Sequence, residues 1–483
     1  MKNILINKVF LIGLIIIFNS GCKKDLLNPV PISSISDKSA FSTPDRIKNL
    51  LNGLYDGLKS GNFLGSRAII YHDIRGEEFL NELNNAVTGL QTWNHTVNSN
   101  TTEVNTLWGQ CYSVINSCNI FINGVEANKS VLNNETLAAN YIAEAKFVRA
   151  LSYYYLLVTY AKPFADNSGN NNGVILRLKP EIDGTSNDLE RSSVANCYAQ
   201  IIKDLNEAET SLPLTYSIAN DNYYRAHKNT AIALKTRVYL SMGKYADVVT
   251  EAAKIVSSVA PFKASTGVAH ELSAMVADAF KNPGSKENIF SLPFTDGDSP
   301  GTQNGLAHYW TAAPKGGGEY SLNPGGILGD TTNFRVADAR RGLMLKSGTK
   351  WYLNKFPNGP GAAQTDPAPI IRYAEVLLNY AEAQARASAG VDSKAVALIE
   401  ALHKRSDNGF VMPTFANQDE LISFILKERR IELLGEGLRA LDCQRLLIPI
   451  PGKLNVAAQL PTSAGYFWPI PSSELATNTK CVP

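Results

Sequence analysis

The side chains of this 483-residue chain that could do chemistry are few and poorly grouped. Two carboxylate pairs have the composition that glycoside hydrolysis needs, an acid and a base flanking one bond: Glu77 with Glu78, and Glu428 with Glu432. Adjacent Glu77 and Glu78 can point apart, while Glu428 and Glu432 stand among Arg429, Arg430 and Arg439, where ion pairing accounts for them. None of the six histidines pairs at the HExxH spacing of a helical zinc site, and CxxC and GxSxG motifs are absent. Gly316-Gly317-Gly318 lacks the Lys-Ser/Thr of a phosphate loop, and Gly435-x-Gly437 follows a helix rather than a strand, so both read as turns. We expect no catalytic residue, no metal and no cofactor.

The aromatic residues of the irregular segments suit a different chemistry. Trp93 sits in GLQTWNHT beside Asn94 and His95, with Arg75 upstream. Tyr309 and Trp310 sit in GLAHYWTAAP, Tyr320 comes just after three glycines, and Trp351-Tyr352 follow. A sugar ring presents apolar C–H faces and equatorial hydroxyls, so it needs a flat aromatic platform rimmed by amides, Arg or Asp. The expected site is a shallow carbohydrate-binding face made by Trp93, Arg75, His95, Tyr309, Trp310 and Tyr320. Trp351 and Tyr352 suit the core of the loop region as well as they suit a ligand.

Helices must position these segments. Asp45 to Leu58 places Leu50, Leu51, Leu54 and Leu58 on one side, and a second helix runs through 103–127, ending near Gly124. From Thr136 to Tyr160, Ala143, Phe147, Ala150, Tyr154 and Leu157 alternate spacings of four and three, the stripe of an amphipathic helix. Ser193 to Leu212 is another helix, stopped by Pro213. Residues 226–242 and 244–258 pair across Gly243, and 370–388 and 392–405 pair across Gly390. Asp419 to Leu434 is the last strong helix. Tyr153, Tyr154, Tyr155, Tyr373 and Tyr380 are read as packing residues of these helices. The hairpins resemble tetratricopeptide units, interrupted by irregular insertions at 61–102 and 161–190 and by a long Gly-, Pro- and Asn-rich stretch from Pro261 to Pro369. Loop-rich segments of that size inside a compact chain are usually functional. The predicted fold is mostly α, a helical scaffold carrying elaborate loops.

The N-terminus adds an address. Lys2 and Lys8 form a basic region, and the ten apolar residues from Val9 to Phe18 are half of what a membrane span requires. They read as a secretory signal ahead of Asn19-Ser20-Gly21-Cys22. Small residues before that cysteine resemble the lipobox of bacterial lipoproteins, although Asn19 stands where leucine is usual. The resemblance makes Cys22 the lipid attachment site. The five other cysteines are too few and too scattered for a disulfide framework, and Cys111 and Cys118, seven apart, read as small buried thiols on one helical face. With Lys+Arg 46 against Asp+Glu 44, no basic excess invites nucleic acid.

Eight segments in order resemble the SusD/RagB family, the nutrient-binding surface lipoproteins of Bacteroidetes. They are PISSIS with LLNGLYDGL, then LWGQCYSVINSCN, AEAKFVRALSYYYLLVTYAKPF, RSSVANCYAQIIKDLNEAETSLP, RAHKNTAIALKTRVYLSMGKYADVV, PIIRYAEVLLNYAEAQ, ILKERRIELLGEGLRALDCQRL and YFWPIPSSELATN. The resemblance implies four tetratricopeptide-like units against a loop-rich part, and an outer-membrane lipoprotein over a SusC-like TonB-dependent transporter. It implies a glycan ligand, with a peptide as the alternative, and ligand contacts from the 61–102 and 261–366 loops. The implied organisation is a signal peptide at 1–21, a lipidated tether and leader at 22–44 and a helical region at 45–260. A ligand-binding loop region at 261–366, a second helical region at 367–450 and a packing tail at 451–483 complete it. A protein-binding tetratricopeptide scaffold fits the hairpins but leaves the lipobox and aromatic loops unused; a glycan-degrading enzyme lacks a credible acid/base pair.

Overall fold

A computed structural model describes residues 37–184, 187–357 and 365–483. Cys22, the signal segment and the leader as far as Ser36 lie outside the described residues.

Local sequence explains where the helices start. Helix α1 (Pro44–Lys59) opens with proline at its first position, where a missing N–H costs nothing, and the Thr43 hydroxyl accepts from the Arg46 N–H. Ile47, Leu51, Leu54, Tyr55 and Leu58 form its buried stripe, with Leu50 at the margin. After α2 (Arg67–Ile74), α3 (Thr102–Ala127) runs through Gly124 instead of ending there. That glycine serves packing: a Cβ on it would meet Phe41 Cζ at 2.1 Å. Asn134 caps α4 (Glu135–Tyr160), whose second half is buried all round, Tyr153, Tyr154 and Tyr155 included. The cause is its position between α3 and α5 (Val194–Ser211). Cys111 and Cys118 are fully buried on α3.

Helices α6 (Lys228–Ser241) and α7 (Tyr245–Ala252) turn at Gly243, whose φ of +67° few other residues adopt cheaply. The second pair is α8 (Tyr373–Ala387) and α9 (Ser393–Ser406), followed by α10 (Gln418–Glu432) and α11 (Arg439–Arg445). Interrupted in sequence, the helices form one run in space, because α7 packs against α8 across the whole intervening excursion. The start of α8 corrects the sequence reading. Ala368–Arg372 is a strand, not the first turn of a helix, and pairs antiparallel with Asn288–Leu292.

The strands are β1 (Phe79–Asn81), β2 (Asn288–Leu292), β3 (Tyr320–Leu322), β4 (Met344–Ser347), β5 (Lys350–Leu353) and β6 (Ala368–Arg372). An antiparallel sheet in the order β1-β3-β5-β4 joins the first irregular insertion to the long one, through Phe79↔Leu322 and Asn81↔Tyr320.

A buried ion network locks the long insertion to the C-terminal helices. Glu432 takes Arg372 Nη1 at 3.0 Å, Arg405 Nη2 at 2.6 Å and Arg340 Nη1 at 3.1 Å. Glu436 binds Arg372 Nε and Lys355 Nζ, both at 2.7 Å, and Glu287 pairs with Arg372 and Arg405. Glu428 pairs with Arg340, and its other oxygen lies 2.7 Å from His403 Nδ1. Burial pushes the Glu432 carboxyl up, but Arg405, Arg372 and Arg340 outweigh it and hold it well below the ordinary value of 4.5. The Glu428–Glu432 pair is thus committed to arginines in the interior.

Removing one member of a buried ionic set costs about 3–5 kcal/mol, because the remaining charges lose compensation. Arg372→Ala is expected to lower unfolding free energy by about that amount in urea titration. A carboxylate with a depressed pKa stabilises above its unfolded value and loses that contribution as pH falls through the folded one. The variant is therefore also expected to unfold at higher pH than the parent during acid titration. A loss under about 1 kcal/mol would mean the network relaxes around the gap.

Candidate functional site

The six residues expected to form a sugar platform do come together, five of them as interior and His95 half-buried. Trp93 ends a single helical turn, Leu90–Trp93, that starts after Gly89. Its indole Nε1 donates to the Phe79 carbonyl at 2.8 Å, and Lys453 Nζ lies over its ring 5.4 Å from the centroid. Trp310 stacks on Phe79 at 4.1 Å, and Tyr320 approaches both Trp310 and Tyr309, with centroids 6.1 and 6.4 Å away. The Tyr320 hydroxyl donates to the Thr88 carbonyl, and Arg67 Nε donates to the Tyr309 hydroxyl. Tyr309, Trp310 and Tyr320 have no exposed surface, and Trp93 has 8%.

Arg75 and His95 are likewise structural. Arg75, at the end of α2, donates through Nη2 to the Gly465 and Tyr466 carbonyls at 3.0 and 2.7 Å. His95 places Nε2 2.8 Å from the Arg75 carbonyl and Nδ1 3.1 Å from that of Ala457. Burial and the nearby Lys453 push its imidazole down to about 4, so only one ring nitrogen carries a proton to donate. Lys453 donates to the Arg75 carbonyl; burial, then Arg75, pushes its ammonium down to about 7. These contacts pin the 450–466 tail onto the end of α2. The shallow face of Trp93, Arg75, His95, Tyr309, Trp310 and Tyr320 is therefore corrected: the four aromatic rings are packed interior against the four-stranded sheet, and Arg75 and His95 hold the tail. Flat apolar rings serve a sugar platform and a protein core equally well, and the sequence of a Gly-rich loop does not say which.

The exposed tryptophan lies elsewhere. Of the five tryptophans, Trp351 on β5 alone is widely accessible, at 37%. It stands opposite Leu322 of β3 and Lys346 of β4, so the three share one face of the sheet. Tyr352, next along β5, is buried. Lys346 is exposed and makes no ion pair among the described residues, and on the opposite face Glu82 accepts from Ser321 and Lys350. The Ser347-Gly348-Thr349 run, with Gly348 at φ +60°, is the sequence signal of this hairpin. It places Trp351 near an exposed tip.

The other carboxylate pair is also occupied. Glu77 holds Arg439 at 2.7 Å and Arg430 at 2.8 Å, and Glu78 holds Arg430 at 2.7 Å. Burial and then Glu77 push the Glu78 carboxyl up, while Arg439 and Arg430 overcome burial to hold Glu77 down. Opposed shifts are what an acid/base pair needs. Here the void beside Glu78 is about 10 Å³ and takes no substrate. Among the described residues, no group of three or more His, Cys, Asp or Glu is placed to hold a metal ion, and no helix is long and apolar enough to cross a membrane.

Comparison with known proteins agrees with this architecture along the whole chain. Residues 27–240 match a SusD-like family described as starch-binding and associating with the outer membrane, and residues 242–482 match the SusD family. SusD-like protein P2 of Formosa agariphila is 27% identical, over 96% of each chain. The crystal structure of a SusD superfamily protein from Bacteroides fragilis is 30% identical, covers 92% of this chain and all of its own, and superposes with a TM-score of 0.81. A laminarin-binding SusD-like protein shares the fold at 21% identity and a TM-score of 0.70, over 91% of this chain and 99% of its own.

Burial makes a separable expectation for the aromatic layer. Trp310→Ala should cost about 3–5 kcal/mol of stability, as for other buried aromatic truncations. Thermal melting will show it. A variant that melts like the parent would put the ring back among ligand contacts.

Proposed function

Because this chain belongs to the SusD family, we propose that it is a non-catalytic surface lipoprotein that binds a glycan and passes it to a SusC-like TonB-dependent transporter of the outer membrane. The observation that carries the reading is Trp351, an exposed indole held between β3 and β4 beside the hairpin tip. A rigid platform loses little entropy when a sugar stacks on it. Lys346, opposite Trp351 on the same face, supplies a hydrogen-bonding group at its rim. An aromatic face contributes about 0.5–1.5 kcal/mol beyond area burial, by analogy with aromatic pairs. One such contact with rim hydrogen bonds supports total binding of about −4 to −8 kcal/mol, hence millimolar to micromolar affinity. Affinity in that range suits a protein that hands its ligand on.

Trp351→Ala is expected to weaken binding of the cognate oligosaccharide by roughly two- to tenfold in calorimetry, with the melting temperature unchanged. Unchanged affinity would move the site off this sheet. No ligand hydrolysis is expected from either form.

The anchor and the partner belong to the same proposal. Cys22 would carry the lipid, and because one acyl chain binds only marginally, the several chains of a lipoprotein cysteine make the attachment firm. Cys22→Ala should move the protein from the membrane to the soluble fraction, and the parent should co-purify with a large β-barrel transporter in mild detergent. An unmodified N-terminus elsewhere, by intact mass, would refute the anchor. Recovery of the free monomer alone would refute the partner.

A further inference from the structure

We infer that the helical scaffold carries a second saccharide site, a groove between α1, the first half of α4 and the 213–225 loop, where Tyr216 and Arg225, backed by the buried Tyr141, receive one uncharged sugar unit. The inference rests on the glycan-binding reading above but shares no residue with the sheet that bears Trp351. The groove encloses about 300 Å³, the lower end of the range for ligand pockets.

Its floor is built and fixed. Glu144 is fully buried there and grips Arg225 with both oxygens, at 2.6 Å to Nη2 and 3.0 Å to Nε, while the Tyr55 hydroxyl donates to it at 2.6 Å. Arg225 Nη1 also reaches Asp221 at 3.2 Å. Held in that way, the guanidinium lies 4.5 Å from the Tyr216 ring centroid and 6.0 Å from that of Tyr141. Three of its five N–H donors are used on the two carboxylates, which leaves two for an incoming oxygen.

Tyr216 is the informative residue. It sits in an exposed loop, between Thr215 and Ser217, yet it is tied at three points. Its N–H donates to Asn222 Oδ1 at 2.8 Å, its carbonyl accepts from Asn222 Nδ2 at 3.0 Å, and its hydroxyl donates to the Ala226 carbonyl at 2.6 Å. A tyrosine this well positioned, half-buried and at the rim of the fold, shapes the groove more than it supports the core. Such preorganisation spares a ligand the cost of ordering the site.

Charge selects the ligand class. Lys48 and Arg225 face Glu144 and Asp221, so the lining is formally neutral. Thr215, Ser217 and the Lys48 ammonium, which makes no ion pair among the described residues, offer donors and acceptors at the mouth. Aromatic carbon, hydroxyls and a fixed guanidinium without net charge match a neutral pyranose better than an anion.

The test titrates the full-length protein in detergent with neutral hexaoses of laminari-, malto-, cello- and xylo- type, and with a neutral hexapeptide as control. Ser217→Trp fills the groove from an exposed position; Tyr216→Ala removes its wall. Lys48→Ala, on the exposed face of α1, is the variant least able to disturb folding, and circular dichroism checks all three. The expected result is two binding events per chain, of which Ser217→Trp removes one and Trp351→Ala the other, with Lys48→Ala weakening the groove event severalfold. A single event removed by Ser217→Trp but not by Trp351→Ala would keep the groove and displace the sheet site. Binding that Trp351→Ala lowers, but that all three groove variants leave intact, overturns the inference while the family reading stands. Hexapeptide binding abolished by Ser217→Trp, with no sugar effect, overturns the ligand class. If no hexaose binds any form, both readings fall together.

Discussion

Glu432 is the point on which the two halves of the molecule agree. Its carboxylate meets Arg340 from the long insertion, Arg372 from the strand before α8, and Arg405 from α9. Hydrophobic burial alone would draw the insertion against the helices but would not say in which orientation, because apolar contact is non-directional. Ionic contacts through a planar guanidinium are directional, and leaving one buried and unmatched is costly. Glu287, Asp338, Arg340 and Lys355 from the insertion all find partners within the set, so misplacing the insertion would strand several charges at once. The network therefore acts less as a source of net stability than as a register key.

The consequence for function is that loop-borne residues stand on a rigid base. The β1–β3 pairing joins segments more than two hundred residues apart, and behind it Phe79, Trp310 and Tyr320 fill the space between the sheet and the helices. Gly435, with φ +81°, lets the backbone past this layer: a Cβ there would lie 2.1 Å from Leu353 on β5. The strand bearing Trp351 is thus flanked by β3 and β4 and held at Leu353 against the Gly435 turn.

The helices were legible because each carries its own instructions. Stripes at spacings of three and four, proline or a capping side chain at the start and glycine at the turns are local signals, and Thr43, Asn134, Ser193, Asp392 and Asn417 do cap. The run from Ala368 to Arg372 misled because Ile370 and Ile371 suit a helix or a buried strand equally, and its partner strand lies far away in sequence. The aromatic loops were legible as a group and illegible in direction. Nothing near Trp93 or Trp310 announces that Lys453 and Phe79 will cover their faces; that is decided by pairings between the two insertions and the tail. Trp351, beside a hairpin turn, carried the local cue for exposure that the others lack.

The packing of Phe41 on α3 also has a mechanical side. Its ring fills the notch at Gly124 and lies 6.3 Å from the Phe121 ring, so the chain is riveted to the scaffold just before α1 begins. For a body anchored at Cys22, any pull from the membrane would enter the fold at this rivet and be borne by α3, one of its longest helices. The Trp351 hairpin shares no residue with this rivet, so a load entering there need not pass through it.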